Sequence, residues 1–99
     1  MKSYFVQYIV LNIKSQFLDS YFANLEKIIM RQGNVDIKHS FIENGKVYIN
    51  TYVKAEDEHR AGRANLNAVT GFAVEALNYE LGDEDEALKV EIGKTEVVS

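Results

Sequence analysis

Between Tyr4 and Lys14 the chain is apolar at both parities, with Phe5, Ile9, Leu11 and Ile13 at odd positions and Tyr4, Val6, Tyr8 and Val10 at even ones. So dense a run of β-branched and aromatic side chains predicts a strand in the middle of a sheet, covered on both sides. The period then changes. Phe17, Leu18, Tyr21, Phe22, Leu25, Ile28 and Ile29 recur at helical spacing, while Asp19, Asn24, Glu26, Lys27 and Arg31 take the opposite side. Ser15 is the expected cap of this helix and Gly33 its expected left-handed stop.

Val35 to Lys54 reads as a hairpin around Glu43-Asn44-Gly45-Lys46. A two-residue Asn-Gly loop would pair Ile42 with Val47 and Asp36 with Val53, which mixes Asp36 and Lys38 into the Val47, Ile49 and Val53 side. A three-residue loop, Glu43-Asn44-Gly45 with a glycine bulge, pairs Phe41 with Val47, His39 with Ile49, Ile37 with Thr51 and Val35 with Val53. Apolar β-branched residues then collect on one face, and this register is the predicted one. Asp36, Lys38, Ser40, Ile42, Tyr48, Asn50 and Tyr52 fall on the other.

A second helix is expected from Ala64 to Leu81, with Leu66, Val69, Ala73, Ala76 and Leu77 along one stripe. If it began at Asp57 it would be ~37 Å long, against ~33 Å for a ten-residue strand, so Gly62 is the expected break. Gly82 is read as its end and Asp83 to Glu86 as an acidic connection. Leu88, Val90 and Ile92 then alternate with Lys89, Glu91 and Lys94, the pattern of an edge strand protected by charge.

Strand, helix, strand, strand, helix, strand is the order of a ferredoxin-like βαββαβ plait: an α+β single domain spanning residues 1–99, its four-stranded antiparallel sheet ordered 4-1-3-2, with two helices on one face. The helices are expected to cover Phe5, Ile9, Leu11, Val47, Ile49 and Val53. Tyr4, Val6, Tyr8, Val10, Tyr48, Asn50 and Tyr52 then form a bare, tyrosine-rich face. Few monomers leave such a patch in water. A non-enzymatic interaction module of regulatory or inhibitory type is therefore expected, forming a homodimer through this face or meeting another protein there.

Composition narrows the alternatives. Of 99 residues 46% are hydrophobic and 26% charged, which suits a globular chain with one core. The net charge is −4, and the acidity is concentrated in the second half, where five Lys/Arg stand against eleven Asp/Glu. Stacking of nucleic-acid bases on the tyrosines is disfavoured on that ground. With no cysteine there is no disulfide, thiol nucleophile or thiolate metal site.

Gln7 and Asn12 interrupt the apolar run after Lys2, so a signal peptide is not expected; no stretch has the length of a membrane span, and a cytoplasmic placement is. No phosphate loop, dinucleotide fingerprint or nucleophile elbow occurs, no catalytic residue or metal ligand set is assigned, and no cofactor is expected. The alternative function is binding or turnover of a small, phosphorylated or nucleotide ligand at a dimer interface, by His59, Arg60 and Arg63 beside Tyr48 and Tyr52. Glu56, Asp57 and Glu58 in the same turn oppose it. His39 is read as a packed, core-facing imidazole.

Overall fold

The structure, a computed structural model, describes residues 1–80 and 88–98, the last three residues of its third helix by backbone alone. The expected acidic connection Asp83 to Glu86 and the stop at Gly82 lie outside the described residues. Strands β1 (Lys2–Leu11), β2 (Ile37–Glu43), β3 (Lys46–Ala55) and β4 (Lys89–Val97) form one antiparallel sheet ordered β2-β3-β1-β4. Read from its other edge this is the expected order, with the two strands richest in apolar and aromatic side chains in the centre. Helices α1 (Leu18–Gln32), α2 (Glu58–Ala64) and α3 (Leu66–Glu80) complete the chain.

Helix α1 buries Tyr21, Leu25 and Ile28, one stripe at helical spacing, and stops at Gly33, whose φ of +66° favours glycine. Ser15 does not cap it. A 3-10 turn, Ser15–Phe17, leads in instead, closed by the Phe17 amide donating to the Lys14 carbonyl at 2.9 Å. The second helical segment does break, but at Asn65 rather than Gly62. Asp57 caps α2 by accepting from the Arg60 amide at 2.8 Å.

The hairpin takes the register set aside above. Asn44 and Gly45 both have positive φ, +52° and +76°, and Ile42 pairs with Val47, Phe41 with Tyr48 and Ser40 with Ile49. This is the two-residue loop that Asn-Gly favours because its twist matches that of the strands. A bulge between Ile37 and His39 then takes up one residue, so Ile37 still faces Thr51. Asp36, ahead of the bulge, does lie on the helix side, where its carboxylate accepts from the Asn65 side-chain amide at 3.2 Å, so the charge that argued against the short loop has a partner there.

The larger correction concerns β1. Tyr4, Val6, Tyr8 and Val10 are buried and pair with Val53, Thr51, Ile49 and Val47, so they lie on the face under the helices, in one cluster with Tyr21, Leu25, Val69 and Ala73. Phe5, Gln7 and Ile9 point the other way. Two of the buried phenols find partners in the helices: Tyr8 donates to the Gly62 carbonyl at 2.7 Å and accepts from the Asn65 amide at 3.3 Å, and Tyr21 donates to the Ala73 carbonyl at 2.7 Å. The break at Asn65 exposes backbone groups that the Tyr8 hydroxyl fills. Tyr4, Tyr8 and Tyr21 are thus core residues.

Burial raises the Tyr8 pKa above its ordinary 10.0; the Asn65 amide lowers it, and the Asp36 charge adds to the rise. In the unfolded chain the phenol loses its proton first as pH climbs, while the folded chain holds it. The stability this group contributes is therefore complete below pH about 10 and is lost as pH rises through the folded value. Urea midpoints measured from pH about 7 to 11 should stay level and then fall, with a shallower fall in Tyr8→Phe.

Strand β4 pairs with β1 through Tyr8–Ile92 and Gln7–Lys94, with Gly93 bulged between. A Cβ at Gly93 would lie 2.5 Å from Ile9 Cδ1 and 2.9 Å from its Cγ1. Gly93→Ala must displace Ile9, and about 1–3 kcal/mol of stability should be lost in chemical denaturation.

Candidate interaction face

The side of the sheet away from the helices is built from alternate residues of all four strands. Strand β1 supplies Phe5, Gln7 and Ile9, β3 supplies Tyr48, Asn50 and Tyr52, and β2 supplies His39 and Phe41. The rings are in register across the strands. Phe41 and Tyr48 stack at 5.0 Å and 7° between planes, His39 stacks on Phe41 at 5.5 Å, and Phe5 meets Tyr52 edge-on at 5.4 Å. Gln7 Nε2 donates to Asn50 Oδ1 at 3.0 Å between the two aromatic groups, tying β1 to β3.

These rings keep only each other for company. Tyr52 is 45% exposed, and Phe5, Ile9, Phe41 and Tyr48 are half-buried by neighbours in the same sheet. Strand β4 gives the face a charged border, where Lys89 lies 3.1 Å from Glu91 and Lys94 lies 3.7 Å from Glu96. Alternation adds Lys46 and Lys54 at the ends of β3 and Glu43 at the end of β2. The border is close to neutral, although the chain carries −4.

Of the residues expected on this face, Tyr48, Asn50 and Tyr52 are there; Tyr4, Val6, Tyr8 and Val10 are beneath the helices. Sequence reasoning missed Phe5, Gln7, Ile9, Phe41 and His39. The Asn-Gly turn carried the signal for Phe41, since a two-residue loop sets Phe41 opposite Tyr48. No local signal phased β1, because no turn ties it to β3. His39, expected to face the core, is exposed and stacked on Phe41.

His59, Arg60 and Arg63 do come together, in an open groove of about 860 Å³ between α2 and β4 that Asp57, Glu58, Leu66, Ile92 and Thr95 also line. This groove is on the helix side of the sheet. It cannot share a ligand with Tyr48 and Tyr52, which are on the other side. Arg60 is held by Glu56 at 2.6 Å and by Asp57 at 3.6 Å, so its charge is already paired. His39 and His59 likewise lie on opposite faces and form no shared site. Among the described residues no cluster of His, Asp and Glu could hold a metal ion, and no helix is long and apolar enough to cross a membrane.

Comparisons with protein-family models, with curated proteins and with solved structures give no match to this chain.

Proposed function

We propose that this chain is a non-enzymatic interaction module on a ferredoxin-like plan, which self-associates by stacking the bare face of its sheet on that of a second copy. The plan is supported by the strand order β2-β3-β1-β4, with β1 and β3 central. One observation carries the function: five aromatic or aliphatic side chains, Phe5, Ile9, Phe41, Tyr48 and Tyr52, share a surface over which no described element passes. Two such sheets stack about 10 Å apart with their side chains interdigitated, which removes the rings from water and leaves the phenol hydroxyls to find partners at the margin.

A second copy fits this surface better than nucleic acid does. Strands of bases need unpaired cations beside the rings to hold phosphates. Here Lys89 and Lys94 are paired with their own strand's glutamates, and the other cations on this face, Lys46 and Lys54, stand apart at the two ends of β3 rather than between the rings. Static light scattering on the purified chain tests the reading. A mass of at least two copies is expected at high micromolar concentration, and a mass of one copy throughout would end it.

A further inference from the structure

The geometry points to a second contact between copies of this chain: the β4 edges of two molecules pair antiparallel, about a two-fold axis normal to the sheet, to make one continuous eight-stranded sheet. The inference goes beyond face stacking and rests on different residues. Among the described residues β4 pairs only with β1, so one side of a nine-residue strand offers its amides and carbonyls to a partner. An edge of that length is normally blunted. Three of the exposed large apolar side chains, Ile92 at 41%, Val97 at 57% and Val98 at 51%, belong to this strand and its end.

The charges on β4 do not repel every strand. Lys89, Glu91, Lys94 and Glu96 share the open-face side, in the sign order plus, minus, plus, minus. Reversed, that order becomes its own complement, so an antiparallel copy sets Lys89 beside Glu96 and Glu91 beside Lys94 of the other molecule.

The bulge at Gly93 makes this register consistent along the whole strand. Paired residues must share a face, and the bulge shifts the alternation so that Glu91 and Lys94 fall on one side while Val90, Ile92, Thr95 and Val97 fall on the other. Val90 then meets Thr95, and only Ile92 with Gly93 crosses the faces, which the missing side chain of Gly93 permits. A slip of one position sets Val90 against Lys94 across the two faces, which antiparallel pairing forbids. A slip of two sets Lys89 beside Lys94 or Glu91 beside Glu96. The open groove beside α2, lined by Leu66 and Ile92, flanks the joined edge and leaves it accessible.

The edge axis is perpendicular to the sheet and the face-stacking axis lies parallel to it, so the two contacts together close at four copies where those axes meet. The test removes the face first, with Tyr48→Glu and Tyr52→Glu, and checks the fold by circular dichroism. That variant should remain a dimer by light scattering. Adding Glu91→Lys and Glu96→Lys should give a monomer, as should adding Lys89→Glu and Lys94→Glu instead. Mixed in equal amounts, the two monomers should recombine as a one-to-one dimer, with slowed amide exchange along residues 89–97. A face variant that is monomeric at every concentration overturns the edge contact, as does an all-lysine row that still dimerises alone. Equal masses for wild type and face variant would instead count against face stacking, so the two readings fail separately.

Discussion

Tyr8→Ala should cost this protein about 3–5 kcal/mol, the range for emptying a buried aromatic site. The residue is fully buried at the centre of β1, against Ile49 on β3 and beneath the junction of α2 and α3. Its loss opens a cavity and also leaves the Gly62 carbonyl and Asn65 amide without the hydroxyl that serves both. For a domain of this size the melting temperature should fall by more than about 12 °C. Tyr8→Phe keeps the ring and separates the two contributions; about 1–3 kcal/mol should be lost to the unsatisfied polar groups alone. Tyr52→Ala, on the bare face, should cost no more than about 1 kcal/mol. If Tyr8→Ala and Tyr52→Ala were equally mild in urea denaturation, Tyr8 would not be beneath the helices.

Replacing Tyr48 and Tyr52 together by glutamate should have the opposite profile. The circular dichroism spectrum should be unchanged, because neither side chain belongs to the buried cluster. The molar mass in solution should halve. A stacked pair of sheets would enclose four new carboxylates, each costing several kcal/mol to dehydrate. A dimer of micromolar affinity has only about 8 kcal/mol of binding free energy to oppose that. Phe41→Ser, which unstacks both His39 and Tyr48, should weaken association without abolishing it. A double glutamate variant with the wild-type mass would mean that copies meet elsewhere.

Much of the architecture was legible because the elements carry strong periodic patterns. Helix α1 declares itself through Tyr21, Leu25 and Ile28, and its end through Gly33, while the alternation Val90, Glu91, Ile92 marks an edge. The faces were harder to read, for two physical reasons. A strand apolar at both parities does not say which parity meets the helices, and the register of β1 against β3 is fixed by tertiary packing rather than by a turn. The β2–β3 register departs from the expected one because the twist preference of the Asn-Gly turn outweighs the charge conflict. The chain keeps the Asn44-Gly45 turn, takes up the extra residue in a bulge at Lys38, and gives Asp36 a partner in the Asn65 side-chain amide. With the helices expected over Phe5, Ile9 and Leu11, parity puts Tyr4 and Tyr8 on the bare face, yet the helix break at Asn65 offers Tyr8 partners inside. The face survived this exchange of side chains, since what Tyr4 and Tyr8 vacate Phe5 and Ile9 fill.

The most direct measurement is an isotope-filtered nuclear Overhauser experiment on a mixture of labelled and unlabelled chains at high concentration. Contacts between molecules should be seen at the ring protons of Phe5, Phe41, Tyr48 and Tyr52, and not at those of Tyr4, Tyr8 or Tyr21. Rings on the bare face that show only contacts within their own molecule, in a sample whose mass is that of one chain, would contradict the proposal that a second copy covers them.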